Sequence, residues 1–290
     1  MRLLSYEGRA GEDRLAVTIS TETVADVTGL LDSGPWTMAR LLADLPRALD
    51  RLRAAIDGGM TRAERPIATL RLLPPIPRPG KIIAVGRNYR EHAAEEAVAL
   101  PETPLLFAKL PTALVGDGAT VTWSASLAAQ VDYEAELAVV IGRTARSVPV
   151  ETALDHVLGY SCLNDVSARD LQVRDGQWTR AKSLDTFCPM GPWLVTADEI
   201  PDPGALRIRC RVNGEVRQDE STAALVHGIP ELIAYCSESF TLEPGDIIAT
   251  GTPGGVGVFR DPPIFLEDGD TVEVEIERIG TLVNRCHVAG

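Results

Sequence analysis

Short apolar runs, each closed by Gly, Pro or Asp, follow one another from Lys81 to the end of the chain. Runs of this kind predict β-strands, and they are Ile82–Val85, Leu137–Ile141, Leu206–Val212, Asp246–Thr250 and Thr271–Ile276. Helical spacing of apolar residues returns only at Thr152–Leu158 and Leu225–Tyr235. No βαβ alternation dominates, so residues 80–290 are expected to form one β-rich α+β domain.

The first 75 residues predict a small α+β module. Leu15–Ile19 and Thr23–Val27 are short β-type runs, and helical spacing extends over Trp36–Asp57. Pro46 lies inside this stretch, which predicts a kink or two shorter helices. A proline-rich segment then separates the module from the rest of the chain, and we place the boundary between residues 75 and 80.

Charge and composition limit the function classes that remain. The formal net charge is −13, and such a surface repels phosphate backbones, so no nucleic-acid partner is expected. No apolar run is long enough to cross a bilayer, and Met1–Ala10 lacks the apolar core of a secretory signal. Five cysteines without a C-x-x-C pair indicate reduced thiols and a cytoplasmic protein. Only four histidines occur, which favours an oxygen-ligated metal over a histidine-ligated one.

The segment Asp132–Ile141 combines two acids with an apolar run. If the whole segment is a strand, Glu134 and Glu136 share one face, roughly 6.6 Å apart along the backbone. Two carboxylates at this spacing can bind one Mg²⁺ or Mn²⁺ ion. The alternative is a strand with one solvated face that carries glutamates.

The segment Asn164–Gln172 offers a third carboxylate directly after a buried-type run. Asp165 could complete the ligand set, because functional side chains collect where strands end. Arg169 and Gln172 are three residues apart and would share a face of a helical turn, where the arginine could grip a substrate carboxylate. The alternative is a helix cap followed by a surface ion pair.

Three further segments could carry chemistry. Near Asn88, a possible helix cap, His92 and Glu95 have the spacing of a base and the carboxylate that orients it, although an exposed helix with an incidental pair has the same pattern. Lys182 could stabilise an enolate oxygen or could be an ordinary surface lysine. Thr250–Gly257 could bring backbone N–H groups and Thr252 to an anion, or could be a tight turn.

Taken together, these segments resemble the fumarylacetoacetate hydrolase family from about Lys81 to Val288. The shared pattern is Gly86-x-Asn88-Tyr89-x-x-His92-x-x-Glu95, Phe107-x-Lys109, Asp132-Tyr133-Glu134-x-Glu136, Asn164-Asp165-x-Ser167-x-Arg169-Asp170-x-Gln172, Lys182-Ser183-x-Asp185 and Gly251-Thr252-Pro253. The resemblance implies a mixed β-roll, a homodimer and a Mg²⁺ or Mn²⁺ ion. The residues it implies are the ligands Glu134, Glu136 and Asp165, the catalytic His92, Glu95 and Lys182, and the substrate-binding Tyr89, Arg169, Gln172 and Thr252.

The resemblance also implies an activity on small 2-keto acids. The principal expectation is hydrolysis of a carbon–carbon bond in an acylpyruvate-like 1,3-diketo acid, with the leaving enolate held by the metal and Lys182. The alternative on the same site is decarboxylation of an oxaloacetate-type β-keto acid or isomerisation of a dienoate. A non-catalytic binding protein would have lost a ligand or the base, and none is missing. Arg87 departs from the family pattern, as do Trp123, Leu225 and His227, and such departures bear on the substrate rather than on the metal.

Overall fold

A computed structural model describes residues 1–28, 31, 34–58 and 64–290. Its strands are β1 (Arg2–Glu7), β2 (Asp13–Thr18), β3 (Thr23–Asp26), β4 (Arg65–Pro66), β5 (Leu72–Leu73), β6 (Ile82–Gly86), β7 (Leu105–Lys109), β8 (Leu114–Val115), β9 (Thr120–Ser124), β10 (Val131–Asp132), β11 (Ala135–Ile141), β12 (Val157–Asn164), β13 (Ser167–Ala168), β14 (Cys188–Thr196), β15 (Arg207–Val212), β16 (Glu215–Ser221), β17 (Ile247–Ala249), β18 (Thr271–Ile276) and β19 (Gly280–Ala289). Its α-helices are α1 (Met38–Ala43), α2 (Arg47–Asp57), α3 (Arg90–Glu95), α4 (Arg169–Asp175), α5 (Trp178–Ala181) and α6 (Ile229–Ser239). No helix among the described residues is long and apolar enough to cross a membrane.

One large mixed sheet organises the molecule. Its strands run in the order β4-β3-β2-β1-β14-β12-β11-β17-β6-β7, with β5 on β1 and β8 on β14. A second sheet has the order β16-β15-β18-β19-β9, and β10 and β13 form a short ladder. The α+β, strand-rich fold class predicted from the sequence is therefore confirmed.

The N-terminal residues share this sheet with the rest of the chain. Strand β1 pairs antiparallel with β14, with Leu3 opposite Leu194. The same apolar core contains Leu3, Trp36 and Leu41 from the first segment and Ala138 and Val140 from β11. The two predicted β-type runs correspond to β2 and β3, and the predicted helical stretch is divided into α1 and α2 near Pro46, whereas β1, β4 and β5 were not predicted. Residues 29–30, 32–33 and 59–63 lie outside the described part of the chain.

Three local predictions were wrong in detail. The helix expected from Leu225 begins at Ile229, after Gly228 and with a proline in its first turn. The stretch expected to be helical from Thr152 is a 3₁₀ helix over Val150–His156, and Val157 already belongs to β12. The single strand expected over Asp132–Ile141 is two strands, because the backbone leaves the ladder at Tyr133 and Glu134.

Candidate metal centre and active site

Two paired strands bring the predicted ligands together. Glu136 lies in β11, Glu134 precedes that strand, and Asp165 follows β12 directly. The antiparallel register sets Ala135 opposite Asn164, so the start of β11 meets the end of β12. The Asp165 amide donates to the Glu134 carbonyl oxygen at 2.9 Å, which locks the two ends together. Residues 31 positions apart in sequence thus become neighbours through β pairing.

The three acids form a compact buried cluster. One carboxylate oxygen of each of Glu134, Glu136 and Asp165 lies within 4.8 Å of the other two. The exposed fractions of these residues are 4%, 1% and 0%. The alternative of a solvated strand face is therefore wrong, because the acids are buried. Buried carboxylates are strongly unfavourable unless positive charges or hydrogen bonds compensate them.

Neighbouring charges set opposite protonation tendencies in this cluster. Burial alone would raise the pKa of Glu134, but the Lys182 ammonium and the Arg169 guanidinium outweigh it and lower the pKa to about 2. Burial, together with the negative charges of Asp165 and Glu134, raises the pKa of Glu136 well above its ordinary value. In the absence of a cation, Glu136 is thus the acid that retains a proton.

Two buried lysines contact the acids. The Lys182 ammonium lies 2.8 Å from Glu134 Oε2 and 2.7 Å from Asp165 Oδ2. Burial disfavours the charged amine, but Asp165 and Glu134 outweigh burial and raise the pKa of Lys182. Lys109 hydrogen-bonds Asp165 Oδ1 and the Lys182 carbonyl oxygen. The surface-lysine alternative for Lys182 is wrong, since its side chain is 3% exposed.

Arg169 forms the next layer around the acids. Its guanidinium contacts Asp132 Oδ2 at 2.9 Å and Glu134 Oε1 at 2.7 Å. Its Nη1 donates to Gln172 Oε1 at 3.1 Å, so the predicted pairing across one face of α4 is present. Arg169 is buried, which rules out the surface ion pair considered from the sequence. Its contacts with Asp132 and Glu134 leave the guanidinium positioned by protein carboxylates.

His92 and Glu95 lie beside the cluster but do not hydrogen-bond each other. Both belong to α3, and His92 Nδ1 is 3.7 Å from Glu95 Oε2. Nδ1 is buried and has no hydrogen-bond partner in the described chain. Glu95 instead accepts a hydrogen bond from the Gly255 amide at 2.7 Å. His92 also packs on the Phe259 ring, with centroids 5.9 Å apart.

Asn88 does not cap α3 as predicted. Its Nδ2 donates to the carbonyl oxygens of His227 and Thr250, at 3.0 and 2.8 Å. Its Oδ1 accepts from the His227 amide at 2.9 Å. Tyr89 occupies the N-cap position without a side-chain cap. Asn88 therefore ties the β6–α3 turn to two other segments, which sequence spacing could not reveal.

Backbone amides of the glycine-rich segment donate hydrogen bonds to carboxylate side chains of the protein itself. The Gly251 amide donates to Glu136 Oε2 at 2.9 Å, and the Gly257 amide to Asp132 Oδ1 at 2.8 Å. Gly251 has φ +102°, and a Cβ there would lie 2.8 Å from the Asn88 Cβ, so only glycine fits. Thr252 accepts a hydrogen bond from Gln218 Nε2 at 2.8 Å.

These side chains line a cavity whose empty space, including the part open to solvent, is about 370 Å³. Its lining includes all predicted site residues except Glu95, Asp165 and Tyr89, and adds Val85, Gly86, Arg87, Glu96, Phe107, Trp178 and Phe259. Two of these three residues lie next to a residue of the lining: Asp165 contacts Lys182, and Glu95 lies beside His92. Tyr89 is buried in the apolar core, and its hydroxyl has no hydrogen-bond partner among the described residues. It does not line this cavity, so its substrate-binding role stays a prediction.

Several residues of the site received no role from the sequence. Lys109 and Asp132 belong to the quoted motifs, so a signal existed for both. Phe107 and Trp178 pack edge to face at 5.2 Å, and Gly86 leaves room for Trp178, whose ring would lie 2.5 Å from a Cβ there. Gln218 is on β16 in the other sheet and had no sequence signal.

The donor set matches a hard divalent cation. Three carboxylate oxygens within 4.8 Å of one another are the ligands that Mg²⁺ and Mn²⁺ prefer. The charge distribution agrees, because burial and the negative charges of Asp165 and Glu134 raise the pKa of Glu136, and a cation beside it would favour its ionised form. The residues present therefore fit such an ion.

Comparison with known proteins gives the family. The model of the fumarylacetoacetate (FAA) hydrolase C-terminal family matches residues 81–287. The mitochondrial oxaloacetate tautomerase FAHD2A of Bos taurus is 43% identical over 264 residues, covering 90% of this chain and 83% of that protein. Oxaloacetate tautomerase YisK of Bacillus subtilis is 48% identical over 222 residues, covering 76% and 74%.

A solved structure supports the fold and the metal centre. Maleylpyruvate hydrolase from Sphingobium sp. SYK-6, in complex with manganese(II) and pyruvate, is 36% identical with a TM-score of 0.82 over the whole of both chains. The buried cluster of Glu134, Glu136 and Asp165 is a divalent-metal site of the type found in this family. The chain belongs to the fumarylacetoacetate hydrolase family.

Proposed function

We propose that this protein interconverts the keto and enol forms of an oxaloacetate-type 2-oxo acid. The observation that carries the proposal is the buried cluster of three acids in one cavity with Lys182 and His92. Relatives named oxaloacetate tautomerases, at 43% identity over 90% of this chain, support this substrate class. The principal sequence-based expectation, carbon–carbon bond hydrolysis, becomes the second candidate.

Glu134, Glu136 and Asp165 would hold the Mg²⁺ or Mn²⁺ ion. When bound, such an ion supplies Lewis acidity toward the oxygens of a 2-oxo acid. The protein supplies the second source of positive charge. Lys182 is held by Glu134 and Asp165 and lines the cavity, where its ammonium would stabilise the charge that develops on the substrate oxygen.

His92 is the residue that moves the proton in our proposal. Tautomerisation transfers one proton between C3 and O2, and it needs a base within reach of C3. His92 lines the cavity, and its Nδ1 faces Glu95, which leaves Nε2 for the substrate. A closer approach of Glu95 would orient the imidazole and stabilise its protonated form. Arg169, Gln172 and Thr252 would position the substrate from the cavity wall.

The test begins with purified protein freed of metal by a chelator and reloaded with Mg²⁺ or Mn²⁺. Loss of ultraviolet absorbance of enol-oxaloacetate would report tautomerisation, and parallel CO₂ detection would report decarboxylation. We expect metal-dependent acceleration of enol loss without matching CO₂ release. Glu134→Gln should abolish this acceleration, because it removes one charged ligand and the partner of Lys182.

The matched control is Glu102→Gln, since Glu102 is exposed and lies outside the cavity lining. It should retain full activity. Thermal melting should show that both variants fold. Retention of wild-type activity in Glu134→Gln would refute the ligand assignment, and an enol decay equal to the uncatalysed rate in the loaded wild type would refute the tautomerase proposal.

Hydrolysis of an acylpyruvate is the second candidate. The support for it is the likeness to maleylpyruvate hydrolase and the presence of both His92 and Glu95. In this reaction His92 would deprotonate a water that attacks the distal carbonyl. Acetylpyruvate is the diagnostic substrate, because hydrolysis yields acetate and pyruvate and releases no CO₂. Formation of these two acids, with no effect on enol-oxaloacetate, would favour the second candidate.

A further inference from the structure

Arg87 occupies an unusual backbone position at the cavity. It follows β6 directly and has φ +57°, a left-handed conformation that a residue with a Cβ adopts rarely. The next residue, Asn88, is fixed by three side-chain hydrogen bonds, so the surrounding structure enforces the turn. Strained backbone of this kind persists where neighbouring contacts determine it. Here it directs the Arg87 side chain to the cavity.

Glu96 holds the Arg87 guanidinium in one orientation. Arg87 Nε lies 2.5 Å from Glu96 Oε2, and Nη2 lies 3.2 Å from Glu96 Oε1. The guanidinium carbon is 5.8 Å from the centre of the Trp178 ring. Nη1 hydrogen-bonds no group in the described chain. The guanidinium is therefore held in position by Glu96, and its Nη1 can donate hydrogen bonds in the cavity that the candidate substrate-binding residues also line.

The lysine and the other arginine that line the cavity within the described residues both contact an acid of the metal-ligand cluster. The side chain of Lys182 is 3% exposed and contacts Glu134 and Asp165. That of Arg169 is 8% exposed and contacts Asp132 and Glu134. Arg87 is 32% exposed and does not contact the metal-ligand cluster. It is therefore the most exposed of these three cations, and it does not contact the acids that would hold the metal.

We propose that Arg87 is a specificity-determining residue that binds the distal carboxylate of a dicarboxylate substrate through Nη1, while Glu96 positions the guanidinium. The inference rests on the proposed function, because it takes the 2-oxo acid group to lie at Glu134, Glu136 and Asp165. Arg87 would select, among 2-oxo acids, those that carry a second carboxylate. A monocarboxylate of the same size would leave Arg87 Nη1 without a partner, while Nε and Nη2 stay on Glu96.

Oxaloacetate and acetylpyruvate provide a matched pair of substrates. They share the 2-oxo acid group, and a carboxylate in oxaloacetate is replaced by a methyl ketone in acetylpyruvate. Arg87→Met removes the charge and keeps an extended side chain. We expect the ratio of kcat/KM for oxaloacetate to that for acetylpyruvate to fall about 10- to 100-fold, which is the effect of losing one charge-assisted contact. Most of the loss should be in KM, since the contact is distant from the reacting atoms.

Two variants control this experiment. Arg87→Lys keeps the charge without the planar fork and should recover part of the ratio. Arg90→Met changes an exposed arginine that does not line the cavity, and the ratio should stay at the wild-type value. An equal loss of kcat/KM on both substrates in Arg87→Met would overturn the inference, because Arg87 would then affect only the shape of the cavity. No loss of kcat/KM on either substrate would overturn it as well, because Arg87 would then have no role in the reaction.

Calorimetric binding of both compounds to the Mn²⁺-loaded protein separates this inference from the proposed function. If wild-type protein turns over neither compound but Arg87→Met still loses affinity selectively for oxaloacetate, the function fails and the Arg87 assignment stands. If oxaloacetate is tautomerised and its affinity is unchanged in Arg87→Met, the function stands and the Arg87 assignment fails.

Discussion

Glu134 and Glu136 are two residues apart and face one cluster, yet their environments separate their protonation. Lys182 and Arg169 contact Glu134 and lower its pKa to about 2, whereas Glu136 receives one amide hydrogen bond and two negative neighbours, and its pKa is raised. Neighbouring charges, rather than burial alone, decide the difference, since both side chains are fully buried. The site therefore takes up a cation most easily by releasing a proton from Glu136.

This asymmetry predicts a pH dependence of the metal-free protein. The folded pKa of Glu136 lies above the ordinary 4.5, so the folded state binds more protons than the unfolded state between the two values. The free energy of unfolding should therefore fall as pH rises through this window. Glu136→Gln should remove that decrease and stabilise the chelator-treated protein above the window. Urea unfolding at a series of pH values measures both effects.

Metal titrations of the same variants provide the control. In wild-type protein, the binding heat should vary with the ionisation enthalpy of the buffer, because a proton leaves Glu136. Glu102→Gln, an exposed change, should behave as wild type. An unchanged pH slope of stability in Glu136→Gln would contradict the assignment of the proton to this residue.

At the residue scale, motif spacing predicted the three ligands and Lys182 correctly as neighbours. It could not predict partners contributed by distant segments. Lys109 lies 56 positions from Asp165, and the Gln218 side chain reaches Thr252 from 34 positions away. The burial of Tyr89 in the apolar core was not predictable from its motif either, because side-chain direction depends on packing rather than on position in a motif.

At the element scale, the turn from β6 to α3 depends on one side chain. Asn88 makes three hydrogen bonds that connect this turn to Thr250 and His227. Asn88→Ala would leave buried groups unpaired at a cost of about 1–3 kcal/mol in the free energy of unfolding. It should also lower kcat, because α3 carries His92. Urea unfolding and steady-state kinetics measure the two effects.

Gln177→Ala is the control for that prediction. Gln177 is exposed, and its side chain does not cap the helix that follows it. Its loss should change the free energy of unfolding by less than about 0.5 kcal/mol. If Asn88→Ala were equally neutral, the role of Asn88 as a tether would be wrong.

Local signals located several strands and helices, and they failed where strand pairing overruled periodicity. The predicted break at Pro46 falls between the end of α1 at Ala43 and the start of α2 at Arg47. Val157 had been assigned to a helical stretch, yet it pairs with Ile141 and begins β12. The break at Tyr133 and Glu134 was also missed, since it depends on Gly257 and Val258, whose amides donate to Asp132.

At the scale of the whole molecule, the described part of residues 1–75 shares a sheet and an apolar core with residues 81–287, which match the family. We therefore expect them to unfold together. Leu3→Ala should cost about 2–5 kcal/mol, because Leu3 is fully buried between the two regions. Amide hydrogen exchange should accelerate in β1 and β14 to the same extent.

Leu100→Ala is the matched control, since Leu100 is 41% exposed. It should leave exchange in both strands near the wild-type rate. Exchange that accelerates in β1 alone in Leu3→Ala would show that residues 1–75 unfold as an independent module, in keeping with the predicted boundary between residues 75 and 80.

The homodimer implied by the resemblance stays a prediction.

The amino-acid sequence by itself determined the β-rich class, the positions of several strands and helices and the candidate metal ligands, because turn residues, apolar alternation and the acid-containing motifs can be read from the sequence. Only the tertiary structure decided that the first segment extends the central sheet, that Asn88 is a tether and that Arg87 reaches the cavity. These features depend on contacts between segments far apart in sequence. Their energies come from burial and pairing, which no local pattern records.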